Sequence, residues 1–329
     1  MKLEISQPDE LMVLTTTKYV VENANYVHIN EVALKNITEV IKKRLEQGLE
    51  PPENSFGIKG KNLEEDARLI FLEDTINFCF WAEKGKEKWE VEYPKGVRQG
   101  GYYSLVSCFK RALDEGIPIL DLDYLIDLDK EKVAYFLRSS NGVEIPLLEK
   151  RLENLKEAGM VLKEKFKGQF LNVIKEAEFD AVKLVKLIYD NFSSFRDIAL
   201  YKGQTIYFLK RAQILANDIN YLHERYNFSI KNIDKLTAFA DYKIPQILRH
   251  FDVLKYEKEL ADKIDNYEII PANSEYEIEI RASAIWAVEL IKQNLNPIVP
   301  SSIIDNVIWL ISQNQEGLKP YHRTLTWFY

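Results

Sequence analysis

Apolar residues recur every three or four positions along most of this chain, which is the period of an amphipathic α-helix. The segment from Asn30 to Gly48 is predicted to form one such helix. Its apolar face comprises Val32, Ile37, Val40, Ile41 and Leu45. A loop is predicted at Pro51 to Gly57. Asn62, followed three residues later by Glu65, has the spacing of a capping box and predicts the next helix start.

Short β-structure is predicted in one place. Trp89 to Tyr93 alternates apolar and polar residues, and the turn Pro94-Lys95-Gly96 follows it, which is the pattern of a small hairpin. A helix is then predicted from Ser104 to a stop at Gly116-Ile117-Pro118. From about Asp127 to the end, the pattern is almost wholly helical.

Two apolar stripes in the second half of the chain predict helices buried along one face. The first comprises Phe208, Ala212, Leu215, Ile219 and Leu222. The second comprises Ile280, Ala284, Ala287, Val288 and Ile291. A further helix is predicted up to Asn314, with Ser301 or Ser302 as its cap. The sequence therefore predicts a mainly α fold with a small β hairpin element. It forms either one domain (1–329) or two intimate lobes, about 1–125 and 126–329.

The composition is that of a soluble globular protein, with 46% hydrophobic and 29% charged residues. No apolar run approaches the ~20 residues that span a bilayer, and the N-terminus lacks signal-peptide anatomy. The two cysteines, Cys79 and Cys108, occur in unrelated contexts and are predicted to be buried thiols. We therefore expect a cytoplasmic protein without a membrane partner.

The net charge of −7 comes from 44 basic and 51 acidic residues. Proteins that hold duplex phosphates usually carry a basic surplus or a basic stripe. Here the charges are interleaved, as from Lys150 to Lys167, which is typical of a solvated helix face. The charge disfavours a duplex nucleic acid partner, but it is compatible with a small ligand that carries one phosphate.

An aromatic segment, Asp74 to Trp81, offers one set of candidate binding residues. Phe78, Phe80 and Trp81 lie beside Asp74 and Asn77, so the segment is suited to stacking on a heterocycle and hydrogen-bonding it. The alternative is a core strand, because Ile76, Phe78 and Phe80 alternate.

Lys210 and Arg211 are adjacent cations that follow an aromatic pair at the start of a predicted helix. Such a pair is a candidate phosphate site. The alternative is that both are solvated charges. Arg211 and Asp218 lie seven residues apart, hence on one helix face, and would then belong to one row of ion pairs.

Asp241 stands at a predicted helix start, with Pro245 in the first turn. Aspartate is a preferred N-cap, so its local pattern is already explained by capping. A capping carboxylate can also face a ligand, and such a fixed charge suits a reaction in which positive charge develops on a sugar. Tyr242, the next residue, is a candidate for substrate binding.

The C-terminal segment, Pro320 to Tyr329, ends in three aromatic residues and is predicted to be packed. His322 and Arg323 would then be held in place. They are either structural residues or ligands of an anionic group.

Six segments together resemble the queuosine salvage protein family, the queuosine 5′-phosphate N-glycosylases, from about Ser55 to Tyr329. The motifs that carry the resemblance are Asp74 to Trp81, Arg111 to Pro118, Lys210 to Leu215, Phe239 to Leu248, Glu279-Ile280-Arg281 and Pro320 to Arg323. The resemblance implies a helical fold distantly similar to the helix-hairpin-helix DNA glycosylases. It also implies release of queuine from queuosine 5′-phosphate for reuse in tRNA, with Asp241 as the catalytic aspartate.

One departure from the DNA glycosylases narrows the substrate. Their hairpins use glycine-rich turns against DNA phosphates, whereas the segment before Asp241, from Asn227 to Asp234, contains no glycine. With the net charge of −7, this favours a modified nucleotide over a duplex.

With this substrate, the chemistry of the candidate residues suggests a role for each. Asp74 or Asn77 is expected to bind the base or its cationic side chain, and Phe78 or Trp81 to stack on the ring. The candidates for the 5′-phosphate are Lys210, Arg211, His322 and Arg323. Asp241 would stabilise an oxocarbenium ion, orient a water or attack the sugar; the sequence leaves these open.

We expect a monomer without a metal or cofactor. The alternatives are a DNA or RNA base-excision glycosylase and a non-catalytic, nucleotide-binding helical protein.

Overall fold

The structure is a computed structural model that describes residues 2–48, 59–295 and 299–329. The helices are α1 (Val13–Glu22), α2 (Glu31–Glu46), α3 (Leu63–Thr75), α4 (Tyr102–Asp114), α5 (Leu122–Ile126), α6 (Lys130–Phe136), α7 (Leu148–Lys165), α8 (Phe170–Glu176), α9 (Ala181–Asn191), α10 (Lys210–Asn220), α11 (Lys243–His250), α12 (Lys258–Asp265), α13 (Glu275–Asn294) and α14 (Ser301–Asn314). The strands are β1 (Val27–Ile29), β2 (Glu90–Glu92), β3 (Arg98–Gly100), β4 (Ile198–Tyr201), β5 (Gln204–Tyr207) and β6 (Leu254–Tyr256).

The strands form three antiparallel pairs, β1 with β6, β2 with β3 and β4 with β5. The predicted mainly α fold is therefore confirmed, as is the small hairpin, which is β2–β3. The predicted loop at Pro51 to Gly57 lies outside the described residues. Within the described ranges, no helix combines the length and apolar character that crossing a membrane requires.

The expectation of an almost wholly helical chain beyond Asp127 is wrong in two places. β4 and β5 form a hairpin across Lys202 and Gly203, whose positive φ angles of 46° and 82° fit a type I′ turn. β6 pairs with β1, and the partners His28 and Lys255 are distant in sequence. A three-residue strand with so distant a partner leaves no local pattern to find.

Helix starts follow the sequence with small differences. Asn62 caps α3 as predicted, because its side chain accepts the N–H of Glu65 at 3.0 Å. Val32, predicted on the apolar face of α2, is 73% exposed. It lies two residues from the buried Leu34, which is about 200° around the helix axis.

Two other starts are shifted. α4 begins at Tyr102 and not at Ser104, and α14 begins at Ser301 with Pro300 in the cap position. The ten residues of the two predicted apolar stripes are all buried, which confirms both stripes.

The helix α13 lies between two hydrophobic clusters. It contributes Ile278 and Ile285 to one cluster and Ile280 and Ala284 to the other. Every side chain from Glu277 to Ile291 is buried, as expected for a helix with neighbours on all sides. The division of the chain into lobes near residue 125 stays a prediction.

Candidate active site

A cavity of about 390 Å³ opens between α10, α11, α14, the N-terminal end of α4 and the segment after α3. This volume is within the range of small-molecule sites, roughly 300–1,000 Å³. Its aromatic lining comprises Phe78, Phe80, Tyr102, Tyr103, Tyr221, Phe239, Tyr242, Trp309 and Tyr329. Its charged lining comprises Lys59, Lys210, Asp218, Glu224, Asp241, Lys243 and Asp305. Aromatic walls with a few convergent charges suit a nucleotide with a planar base.

Asp241 both caps α11 and lines the cavity. Its Oδ1 accepts the N–H groups of Lys243 and Ile244 at 2.7 and 2.9 Å. Within the described part of the chain, Oδ2 accepts no hydrogen bond. Burial raises the pKa of Asp241, while the Lys210 ammonium and the two backbone N–H groups lower it. The two sequence interpretations, cap and ligand-facing carboxylate, are therefore compatible in one side chain.

Asp305 on α14 is a second cavity carboxyl that the sequence analysis missed. Its Oδ1 accepts the N–H of Phe239 at 2.8 Å, two residues before Asp241. Burial and the charge of Asp241 raise the pKa of Asp305 well above its usual value. Since two close carboxylates resist ionising together, Asp305 holds the proton more readily and Asp241 the charge. The available signal was an acidic residue among the apolar positions Ile304 and Ile308.

Lys210 and Arg211 are adjacent but face different surroundings. Lys210 lines the cavity, and burial lowers its pKa while Asp241 and Asp74 raise it. Arg211 lies outside the lining, and its guanidinium donates to the backbone carbonyls of Asp74, Thr75 and Ser194. Successive helix residues are about 100° apart, so Arg211 points away from the part of the cavity that Lys210 lines. The structure thus supports Lys210 as a binding residue and gives Arg211 a structural contact.

The aromatic segment after α3 is only partly at the cavity. The interpretation as a core strand is wrong, because α3 continues to Thr75 and irregular buried backbone follows. Asn77 and Phe78 line the cavity, whereas Asp74 and Trp81 lie behind the lining. The stacking assignment for Trp81 therefore lacks support from its position.

The packed C-terminal segment is confirmed, but His322 and Arg323 do not line the cavity. The ring of His322 is buried against Tyr329, with Nε2 3.3 Å from the Tyr329 hydroxyl. Burial and the Arg281 charge lower the pKa of His322 to about 3, so the ring is neutral. Arg323 donates to the carbonyl of Ala82 at 3.2 Å. A neutral ring and an engaged guanidinium outside the cavity are poor phosphate ligands.

Tyr242 lines the cavity, in agreement with its selection from the sequence. Its ring lies 4.9 Å from that of Tyr321, and burial raises its pKa well above the usual range. The phenol is therefore neutral and can serve as a hydrogen-bond donor or a stacking surface.

The proposed ion-pair row of Arg211 and Asp218 is wrong. Asp218 lines the cavity on the same face of α10 as Lys210, Ile214 and Asn217. This spacing of i, i+4, i+7 and i+8 was the signal that would have found it. Lys243 was also missed, because its position one residue after Tyr242 looks like ordinary helix sequence.

Both cysteines are free and buried, as predicted. Burial raises the pKa of Cys79 to about 11 and that of Cys108 to about 12. Since only a thiolate is a strong nucleophile, these thiols are inert at neutral pH.

Comparisons with known proteins place residues 58–329 in the family described as queuosine salvage protein. A protein from Sphaerobacter thermophilus named queuosine 5′-phosphate N-glycosylase/hydrolase is 39% identical over 326 residues, which cover 98% of each chain. Proteins of the same name from Bos taurus and Mus musculus are 33% and 39% identical. The former match covers 95% of this chain and 97% of the relative, and the latter covers 79% and 81%.

Proposed function

This chain belongs to the queuosine salvage protein family, and we propose that it hydrolyses the N-glycosidic bond of queuosine 5′-phosphate. The products are queuine, which becomes available for salvage into tRNA, and ribose 5-phosphate. The enzyme is an N-glycosylase, a hydrolase that acts on N-glycosyl compounds.

The catalytic proposal rests on the different surroundings of the two carboxylate oxygens of Asp241. Two backbone N–H groups hold Oδ1, and the Asp241 side chain lines the cavity; we infer that Oδ2, which accepts no hydrogen bond from the described residues, faces the substrate. Breaking the bond makes the sugar oxocarbenium-like, and a carboxylate ~4 Å away interacts with it by about 4 kcal/mol at an effective dielectric of ~20. If this interaction is expressed only in the transition state, it accelerates the reaction roughly a thousandfold.

The leaving base must be stabilised in some way other than by protonation at N7. A 7-deazapurine has carbon at that position, so the base must be stabilised through hydrogen bonds elsewhere. Asp305 is a suitable donor, because its carboxyl lines the cavity and its raised pKa keeps it protonated beside Asp241. We propose that Asp305 assists the leaving base while Asp241 faces the sugar, with Phe239 and Tyr242 as stacking surfaces.

The 5′-phosphate is assigned to the cavity lysines. Lys210 is 6% exposed, and its ammonium forms no hydrogen bond or ion pair with the described residues. Lys243 is the next cavity cation, on the other side of Asp241 in sequence. Both can approach a phosphate carried by the sugar that Asp241 contacts. Arg211, His322 and Arg323 are omitted from this site because they contact other parts of the protein.

The proposal is tested by incubating the purified protein with queuosine 5′-phosphate, with the unphosphorylated nucleoside and with a damaged DNA duplex. Free base is then measured by mass spectrometry. We expect queuine from the nucleotide, less from the nucleoside, and no base from the duplex. Asp241→Asn should reduce release roughly a thousandfold, whereas the exposed Asp252→Asn should leave it unchanged. Full turnover by a folded Asp241→Asn protein would refute the catalytic assignment.

The net charge of −7 makes a duplex an unsuitable partner. The absence of a nucleic acid partner, the monomeric state and the cytoplasmic location stay predictions.

A further inference from the structure

The cavity extends along α10 well beyond Asp241. Lys210, Ile214, Asn217 and Asp218 line one face of this helix. At a rise of 1.5 Å per residue, Asp218 lies about 12 Å along the axis from Lys210. The cavity therefore has a second end, separated from the proposed reaction centre, and Asp218 forms part of its wall.

Three carboxyl side chains converge at this second end. Asp218, Asp74 and Glu73 are 8%, 1% and 4% exposed. Asp218 accepts a hydrogen bond from Asn217 at 3.3 Å, and Asp74 Oδ1 accepts one from Asn77 at 3.2 Å. Asp74 Oδ2 is buried and has no hydrogen-bond partner among the described residues. The cluster thus retains a free acceptor at its most buried member.

The cluster lacks a counter-ion of its own. No described lysine or arginine forms an ion pair with any of the three carboxyl groups. Lys210, which acts on Asp74 and Asp218, also serves Asp241, and the Arg211 guanidinium, which acts on Asp74, donates its hydrogen bonds to backbone carbonyls. Elsewhere in this protein a buried carboxylate is paired: Asp197 binds Arg281 at 2.6 Å. A buried charge without a partner is costly, so a cluster of this kind favours a cationic ligand.

Electrostatics agree with the geometry. Burial, with repulsion from Asp74, raises the pKa of Asp218 well above its usual value, and burial raises that of Asp74 to about 7. The pKa of Glu73 is also raised well above its usual value, by burial and by the charges of Asp74 and Asp218. A cation that enters this end of the cavity would favour the ionised carboxylates and gain a charge-assisted hydrogen bond.

We propose that Asp218, supported by Asp74 and Glu73, is the specificity subsite for the ammonium group on the 7-substituent of the substrate base. This inference rests on the proposed function. The secondary amine of that substituent is protonated at neutral pH, and it distinguishes queuosine 5′-phosphate from ordinary purine nucleotides. Asp218 makes the direct contact because it lines the cavity; Asp74 and Glu73 act through it as positioning residues.

The test compares two substrates and two variants. The substrates are queuosine 5′-phosphate and 7-deazaguanosine 5′-phosphate, which has the same glycosidic bond but lacks the 7-substituent and hence its secondary amine. The wild type should favour queuosine 5′-phosphate. Asp218→Asn should raise the KM for queuosine 5′-phosphate roughly 10- to 100-fold, as expected for loss of one charge-assisted hydrogen bond. Turnover of the amine-free substrate should stay nearly unchanged. The exposed Asp190→Asn is the matched control.

Equal kcat/KM for the two substrates in the wild type would overturn the inference, as would an equal loss on both substrates in Asp218→Asn. Equal kcat/KM in the wild type would overturn the inference even if the variant failed to fold. Failure of the proposed function is distinct, because the wild type would then release base from neither nucleotide.

Discussion

Arg281 forms a bidentate ion pair with Asp197, with Nη1–Oδ1 and Nη2–Oδ2 distances of 2.9 and 2.6 Å. The same carboxylate accepts the N–H of Lys210 at 3.0 Å, and Arg281 Nε donates to the carbonyl of Ala240 at 3.1 Å. The pair therefore connects the start of α10 to the backbone immediately before Asp241. Its position explains how Lys210 and Asp241, which are distant in sequence, are held at one cavity.

Replacing Arg281 with methionine should lower both stability and activity. The variant leaves Asp197 buried without its partner, which typically costs 3–5 kcal/mol. Urea unfolding measures this loss, and kcat should fall because the backbone at Ala240 and Lys210 is released. Arg281→Lys keeps the charge but cannot form the bidentate ion pair, so its stability and kcat should lie between those of the wild type and Arg281→Met. Unchanged kcat in a destabilised Arg281→Met would contradict the positioning role.

Two substitutions at Asp241 should separate capping from catalysis. Asp241→Asn keeps an oxygen that can accept the N–H groups of Lys243 and Ile244, so stability should change little. Asp241→Ala removes the cap as well and should cost about 1 kcal/mol more. Both should reduce kcat roughly a thousandfold, because both remove the charge. The measurements are urea unfolding and single-turnover release of base.

The neighbours Lys210 and Arg211 should respond in opposite ways. Lys210→Gln should raise KM for the 5′-phosphorylated substrate much more than for the nucleoside, since it removes a cation from the cavity. Arg211→Met should instead destabilise the fold, because three backbone carbonyls lose their donor. Its KM ratio for nucleotide over nucleoside should match the wild type. A rise of that ratio in Arg211→Met would show that the Arg211 guanidinium contributes to binding the 5′-phosphate.

His322 should make stability depend on pH. Its folded-state pKa is about 3, below the usual 6.5. Between these values the unfolded chain binds a proton that the folded chain does not, so His322 lowers the free energy of unfolding as pH falls. The slope is at most about 1.4 kcal/mol per pH unit.

Buried carboxyl groups such as Asp74 oppose this trend, since their raised pKa favours the folded state as pH falls. The comparison of wild type with His322→Gln removes their contribution. The stability advantage of the wild type should shrink between pH 7 and pH 5 in urea unfolding. A constant difference would show that the pKa of His322 is the same in the folded and unfolded chains.

Features that depend on local residue spacing could be predicted from the sequence. Features that depend on contacts between segments distant in sequence could not. The apolar stripes and the caps at Asn62 and Asp241 follow from periodicity and capping chemistry, whereas the catalytic role of Asp241 was expected only from the family resemblance. Asp305 and Asp218 were missed because an acid on a buried helix face gains meaning only when the opposing wall is known. The position of Arg211 outside the cavity lining was missed for the same reason, since its acceptors are backbone carbonyls from distant segments.

The rigidity of α10 imposes a constraint on how this protein can change over evolution. Lys210 and Asp218 both line the cavity because they are eight residues apart, a little over two helical turns, which leaves them about 80° apart around the axis. One inserted residue between them would rotate Asp218 by about 100° and move it by ~1.5 Å, which would exchange the cavity wall for the core. Relatives that retain the activity should therefore differ within α10 by substitution and not by insertion or deletion, whereas the loops around the cavity are free to vary in length.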